Sequence, residues 1–152
     1  MSIEKALGIV VRLNDYSETS QIATFVTDIH GRVSALAKGS KKSDSSTGGP
    51  LDLLTVNELV FSTGKTGSLA TLREAHTIEQ FMMLRRSLQC YYAGMYFAEI
   101  CSIFAEGSEG SSGHFDLLRG SLRALCEAED PSVPYIVLYF ESHLLAVSGL
   151  AP

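Results

Sequence analysis

The stretch LGIVVRLNDYSETSQIATFVTDIHGRVSALAKG, residues 7–39, decides how the front of this chain folds. In it Leu7, Ile9, Val11 and Leu13 alternate with Gly8, Val10 and Arg12. A period of two is the mark of a half-buried strand. Asn14-Asp15-Tyr16-Ser17 reads as a turn, because short polar side chains satisfy backbone groups locally. Residues 20–28, SQIATFVTD, are rich in strand formers. His30-Gly31 then turns the chain into a third strand, Arg32 to Lys38.

Beyond this stretch, Gly39 to Pro50 has too few apolar groups to pack and reads as a mobile loop. Leu54 to Phe61 is a fourth strand, Ser62 to Gly67 a turn, and Ser68 to Ala75 a fifth strand. Five short strands in the first half suggest a small closed barrel or a sandwich. An OB-fold and an SH3-like barrel both fit that count, and periodicity does not choose between them.

The second half changes period. Leu88, Tyr91, Tyr92, Met95, Phe97, Ala98, Cys101 and Phe104 recur at helical spacing over residues 87–106, and the glycine-rich run 107–113 ends that helix. Phe115, Leu118, Leu122 and Leu125 mark a second helix. Asp130-Pro131-Ser132-Val133-Pro134 opens a third, since a proline in the first turn lacks only an N–H that would be unpaired there. Val133, Val137, Phe140, Leu144 and Val147 line its inner face, and Gly149 stops it.

The chain has 152 residues and a formal net charge of −5, so it is no basic chromatin-type protein. Any nucleic-acid binding must come from a local patch. Arg12, Glu58, Glu99 and Glu141 break the longest apolar stretches, so no membrane span is expected. Met1-Ser2-Ile3-Glu4-Lys5 is not the start of a secretory signal, which implies a cytoplasmic protein. Cys90, Cys101 and Cys126 form neither a disulfide framework nor a metal pattern and read as small buried residues. No metal or cofactor is expected.

Catalytic patterns fail in turn. Gly64-Lys65-Thr66 is not a phosphate-binding loop: the required earlier glycine is Leu59, and the segment reads as a hairpin turn. No G-x-S-x-G elbow is present, and nothing brings His30, His76, His114 and His143 together. The chain reads as a non-enzyme.

The order of pieces is the strongest signal. Asn14-Asp15-Tyr16-Ser17-Glu18-Thr19-Ser20, Ile22 to Thr27, and His30-Gly31 to Ala37-Lys38-Gly39 follow one another as an aromatic-x-Glu turn, a strand ending in Thr, a His-Gly turn and a strand closing in Ala-Lys-Gly. Ala70-Thr71-Leu72-Arg73-Glu74-Ala75, Phe81 and Leu84-Arg85-Arg86 come next, then Phe140-Glu141 and Leu144 to Pro152. This order resembles the RecO family over nearly the whole chain. The resemblance implies an α+β fold: an N-terminal five-stranded OB-type β-barrel over residues 1–80, then an all-α helical domain over 81–152 that docks proteins and is incomplete. It also implies a mediator of DNA repair and recombination. Such a protein binds single- and double-stranded DNA, anneals strands, and with RecR and RecF loads RecA on strands coated by SSB, whose C-terminal tail it contacts. It works in the cytoplasm, at the nucleoid. The family's zinc module has no counterpart in this sequence, so zinc does not carry over.

Residues 1–80 carry a net charge of −1 and residues 81–152 carry −4, so the acidic excess sits in the helical part. Arg32 and Lys38 fall on one face of the third strand, Lys41 and Lys42 in the loop beyond, and Arg73 on the fifth strand. These five are the expected DNA-facing set, because guanidinium and ammonium groups along a groove neutralise phosphates without reading sequence. Arg12, Arg85 and Arg86 are weaker candidates. Tyr16 and Phe25 are candidate stacking surfaces, with a core role favoured for Phe25. The competing reading is a protein-interaction adaptor whose barrel binds no nucleic acid, which the acidic net charge favours.

Overall fold

The computed structural model describes residues 2–64, 69–107 and 109–150. The chain is α+β: a five-stranded sheet followed by three α-helices. The strands are β1 (Ser2–Asp15), β2 (Gln21–Thr27), β3 (Arg32–Ala37), β4 (Val56–Thr63) and β5 (Ala70–Glu79). The helices are α1 (Leu88–Phe104), α2 (Gly113–Glu127) and α3 (Val133–Val147), with short 3-10 turns at Met82–Arg86 and Asp130–Ser132. The tip of the hairpin read at Ser62 to Gly67, including Lys65 and Thr66, lies outside the described residues; Ser62 and Thr63 belong to β4.

The strand order is β1-β2-β3-β5-β4, and β4 pairs back onto β1. All pairings are antiparallel except β3 with β5, where Ala35 faces Ala70 and Leu36 faces Thr71. The inner face buries Val10, Ala23, Phe25, Ala35, Leu59, Phe61 and Leu72. A second core joins the outer face, through Ile9, Val11, Val26 and Val56, to Phe97, Leu118, Leu122 and Phe140 of the helices.

This corrects the face assignment on β1. The β1–β2 register shifts between Val10 and Arg12, a β-bulge. The extra residue breaks the alternation. Ile9 and Val11 pack toward the helices, whereas Leu13 packs with Val10 on the inner face. Gly8 to Val11 are all buried, because the helices cover the side a lone sheet would leave wet.

Helix α1 starts where the Ser87 side chain accepts the Cys90 N–H. It buries Cys90 and Cys101 eleven residues apart on one face. The Phe97 and Phe140 rings stack at 4.2 Å and fix α3 against α1. On α3, Val133, Phe140 and Leu144 are buried as expected, but Val147 is 41% exposed. The opposite side of α3 presents Tyr135, Leu138, Tyr139 and Leu145 to solvent. Among the described residues, no helix is long and apolar enough to cross a membrane.

Candidate nucleic-acid interface

Two connections meet at one end of the sheet. The Lys41 N–H donates to the Thr19 carbonyl at 3.1 Å, and the Gly39 N–H donates to Ser20 Oγ at 3.0 Å. These bonds tie the segment after β3 to the β1–β2 turn. Gly39 has φ +67°, a conformation open to glycine but strained for other residues. Gln21, nearly buried on β2, accepts the Ser40 hydroxyl at 2.8 Å and the Leu51 N–H at 3.0 Å. The polar run from Gly39 to Pro50, expected as a mobile loop, is therefore folded into successive turns around one buried amide. Ser40 bonds to that amide, and Ser45 and Thr47 bond within the run; Thr47 Oγ1, for example, donates to the Gly49 carbonyl at 2.6 Å.

The eight basic candidates divide by partner. Lys38 lies in the turn just past β3 rather than on the strand, because β3 ends at Ala37. Lys38 and Lys42 are exposed, and among the described residues neither ammonium has an ion pair. Arg73 is exposed on β5, where its Nε donates to the neutral Ser62 hydroxyl at 2.8 Å. Leu36 and Thr71 are paired in parallel, so Lys38 and Arg73 each stand two residues past that pair, toward the same end. Lys41 sits beside them but is engaged: its Nζ is 2.8 Å from Asp15 Oδ1 and donates to the Ser17 carbonyl.

The remaining four point elsewhere. Arg32 does not share an open face with Lys38. Its Nη2 is 3.0 Å from Glu106 Oε2, and its Nη1 donates to the Ser102 carbonyl at 3.2 Å. Arg12 reaches Glu99 of α1 at 3.5 Å. Arg85 pairs with Asp52 at 3.2 Å, and Arg86 donates to the Ala128 carbonyl. Sequence reading missed these acidic partners because each comes from a distant part of the chain, and no local pattern announces them. Of the two aromatic candidates, Phe25 is wholly buried in the inner core, whereas Tyr16 is 64% exposed on the β1–β2 turn. Tyr16 thus lies at the lysine-bearing end, and Phe25 is no stacking surface.

The histidines stay apart. His30 Nε2 lies 3.7 Å from Glu4, His76 is exposed on β5, and His143 stacks on Tyr139 at 3.8 Å. His114 is buried with Nε2 3.0 Å from Ser148 Oγ, and burial holds its imidazole below its ordinary pKa. Burial pushes the Cys101 thiol up to about 12, so it is no nucleophile. Among the described residues, no three His, Cys, Asp or Glu side chains are grouped to hold a metal ion.

The fold and this surface define a class: a small β domain whose exposed Lys38, Lys42 and Arg73 have no ion pair among the described residues, fused through a continuous core to a helical bundle. Residues 1–81 match the family described as "Recombination protein O N terminal", and residues 85–152 match "Recombination protein O C terminal". The chain belongs to the RecO family. It is 30% identical over 149 residues to a protein of Bacillus cereus (strain B4264) named "DNA repair protein RecO", covering 98% of this chain and 58% of the relative. It is also 30% identical over 151 residues to the protein of that name from Salinibacter ruber, covering 99% of this chain and 58% of the relative. The chain thus spans under two thirds of the length of these relatives.

Proposed function

We propose that the chain acts in DNA repair and recombination as a mediator that binds single-stranded DNA at the lysine-bearing end of its sheet. One observation carries this reading: Lys38 and Arg73 each stand two positions past the paired Leu36 and Thr71, Lys42 follows in the turns after Lys38, and among the described residues none of the three has a carboxylate partner. In a chain of net charge −5, three cations left unneutralised together provide a local place for phosphates. The strand order, with its parallel β3–β5 contact and the return of β4 to β1, supports an OB-type barrel, a fold whose strands 2–3 and neighbouring loops take oligonucleotides. Tyr16 offers an exposed ring for a base on the same end. Membership of a family whose relatives are named for DNA repair supports the biological setting.

On this reading the front part, residues 1–80, holds the strand, and the helical part, residues 81–152, docks proteins. The work is strand binding, annealing and recombinase loading with RecR and RecF on SSB-coated DNA, without covalent chemistry, in the cytoplasm at the nucleoid. The test is fluorescence anisotropy of a labelled single-stranded oligonucleotide across a salt series. Three phosphate contacts predict a slope of log K against log salt near −2, from about −0.7 per contact on a single strand. The Lys38→Ala/Lys42→Ala/Arg73→Ala variant should lose that slope, while Arg85→Ala/Arg86→Ala should keep most of it. An unchanged slope in the triple variant rules out this surface.

The adaptor reading is favoured by a different observation. Asp116, Gly120, Ser121, Tyr135 and Tyr139 line a groove of about 490 Å³ between α2 and α3, beside the exposed apolar side of α3. Contiguous exposed apolar surface marks interaction sites. No oligonucleotide binding even at low salt would favour this reading.

A further inference from the structure

Arg12 and Arg32 belong to the same outward face of the sheet. Arg12 pairs with Thr24, and Thr24 pairs with Ser34, so these three form a row across β1, β2 and β3. Arg32 is two residues before Ser34 and therefore on the same side. Between the two guanidiniums, the Thr24 and Ser34 hydroxyls bond each other at 3.0 Å. The result is a short strip: a neutral hydroxyl floor with a cation from β1 and a cation from β3 beside it. Such a strip would suit a phosphate backbone, yet both arginines are occupied. Glu99 lies on α1, and Glu106 follows just past its end. Their ion pairs with Arg12 and Arg32 bring both carboxylates to the same face of the sheet.

These pairs are not buried ties. The Glu99 and Glu106 side chains are 60% and 72% exposed and the Arg12 side chain is 54% exposed, while Arg32, 30% exposed, also donates to the Ser102 carbonyl. Exposed pairs are weak: each is worth about 1.4- to 5-fold in an equilibrium. A phosphate offers a guanidinium two parallel charge-assisted bonds, a stronger arrangement. The second core, built on Val11, Val26, Phe97 and Leu118, holds sheet and helices together independently of these ion pairs.

We propose that Glu99 and Glu106 act as built-in phosphate surrogates that occupy Arg12 and Arg32, and that a DNA strand extends onto this strip by taking the two guanidiniums over. The inference rests on the DNA-binding reading above and adds its regulation. The two carboxylates lower affinity for any short polyanion. Only a strand already held at the lysine-bearing end competes for the strip effectively, because its phosphates are at high local concentration.

The experiment compares three proteins in the oligonucleotide salt series: the unaltered chain, Glu99→Gln/Glu106→Gln, and Glu127→Gln/Glu129→Gln. The last makes the same change in net charge at carboxylates that have no ion pair among the described residues. The Glu99/Glu106 variant should bind about 2- to 30-fold more tightly at low salt, the combined range of two exposed pairs. Its slope should steepen by up to about 1.4, the part of two phosphate contacts at about 0.7 each that the competing carboxylates hold back in the unaltered chain. The control should show a smaller gain and no change in slope. Thermal melts verify that each variant is folded. Tighter binding by the variant than by an unaltered chain that itself binds supports the proposal. If the unaltered chain binds and the variant matches it, or the control gains equally, the surrogate role is overturned while the DNA-binding reading stands. If neither protein binds at low salt, both fall together.

Discussion

Replacing Glu79 by glutamine tests how the sheet is fixed to the helical part at the end of β5. Glu79 Oε1 accepts Arg119 Nε at 2.9 Å and Arg123 Nη2 at 2.9 Å, and Oε2 accepts Arg123 Nε at 2.8 Å. Both arginines come from α2, so one carboxylate from the sheet clamps two turns of helix. The Glu79 and Arg119 side chains are only 24% and 25% exposed, and that of Arg123 is 52% exposed. An exposed pair would be worth about 0.2–1 kcal/mol. Hydrogen bonds to fully shielded charges are worth about 1.5–3 kcal/mol each. A site between these limits predicts a loss of about 1–2 kcal/mol at neutral pH. For a chain of this size that lowers Tm by about 2–8 °C. The pH dependence gives the sharper test. Hydrogen bonding from Arg123 above all, with Arg119 adding to it and burial opposing, holds the Glu79 carboxyl below its ordinary 4.5. A lowered carboxylate contributes its full stability above the unfolded value and loses it as pH falls through the folded one. The difference between the parent and Glu79→Gln, read by urea unfolding, should therefore be whole at pH 7 and shrink below about pH 4.5. A difference under about 0.3 kcal/mol at pH 7, or one of the same size at pH 7 and pH 3.5, refutes the clamp.

Other outcomes follow from the same coordinates. Because burial lowers the His114 pKa, His114 should cost stability as pH falls below its ordinary 6.5, and a His114→Gln variant should flatten that limb of the stability–pH curve. Phe140→Ala removes the ring stacked on Phe97 and should cost about 3–5 kcal/mol by denaturant unfolding; a cost below about 1 kcal/mol would mean that α3 is not anchored there. A Cβ on Gly8 would lie 2.5 Å from Leu59 Cδ1 and 3.2 Å from Phe25 Cβ, so Gly8→Ala should destabilise by about 1–3 kcal/mol through overpacking. In thiol labelling of the folded protein, Cys90 and Cys101 should stay unreactive until unfolding, with Cys126 the first to react; rapid labelling of Cys101 would contradict its burial.

Much of the architecture was legible locally. The strand periods, the His30-Gly31 turn, the Asp130-Pro131 helix start and the 3-and-4 spacing around Phe97 depend on backbone sterics and near-neighbour chemistry, which short sequence windows carry. The order of those windows also pointed to the family. What the windows could not carry was the surroundings of each side chain. The bulge between Val10 and Arg12 re-sorted the face of β1, because register belongs to a pair of strands and not to one. The segment after Gly39 looked loose because its hydrogen-bond centre, Gln21, lies on another strand.

The same division applies to the candidate interface. The sequence alone determined which residues are cationic and that they gather in the front half, since charge is a property of the side chain itself. Tertiary structure alone decided which of those charges remain available. Lys38, Lys42 and Arg73 keep theirs open among the described residues, whereas Arg12, Arg32, Lys41 and Arg85 meet Glu99, Glu106, Asp15 and Asp52. Coulomb attraction acts over a few ångströms of space: Glu99, Glu106 and Asp52 each stand more than thirty positions from their partner in sequence, and Asp15 meets Lys41 only because folding brings the end of β1 to the segment after β3.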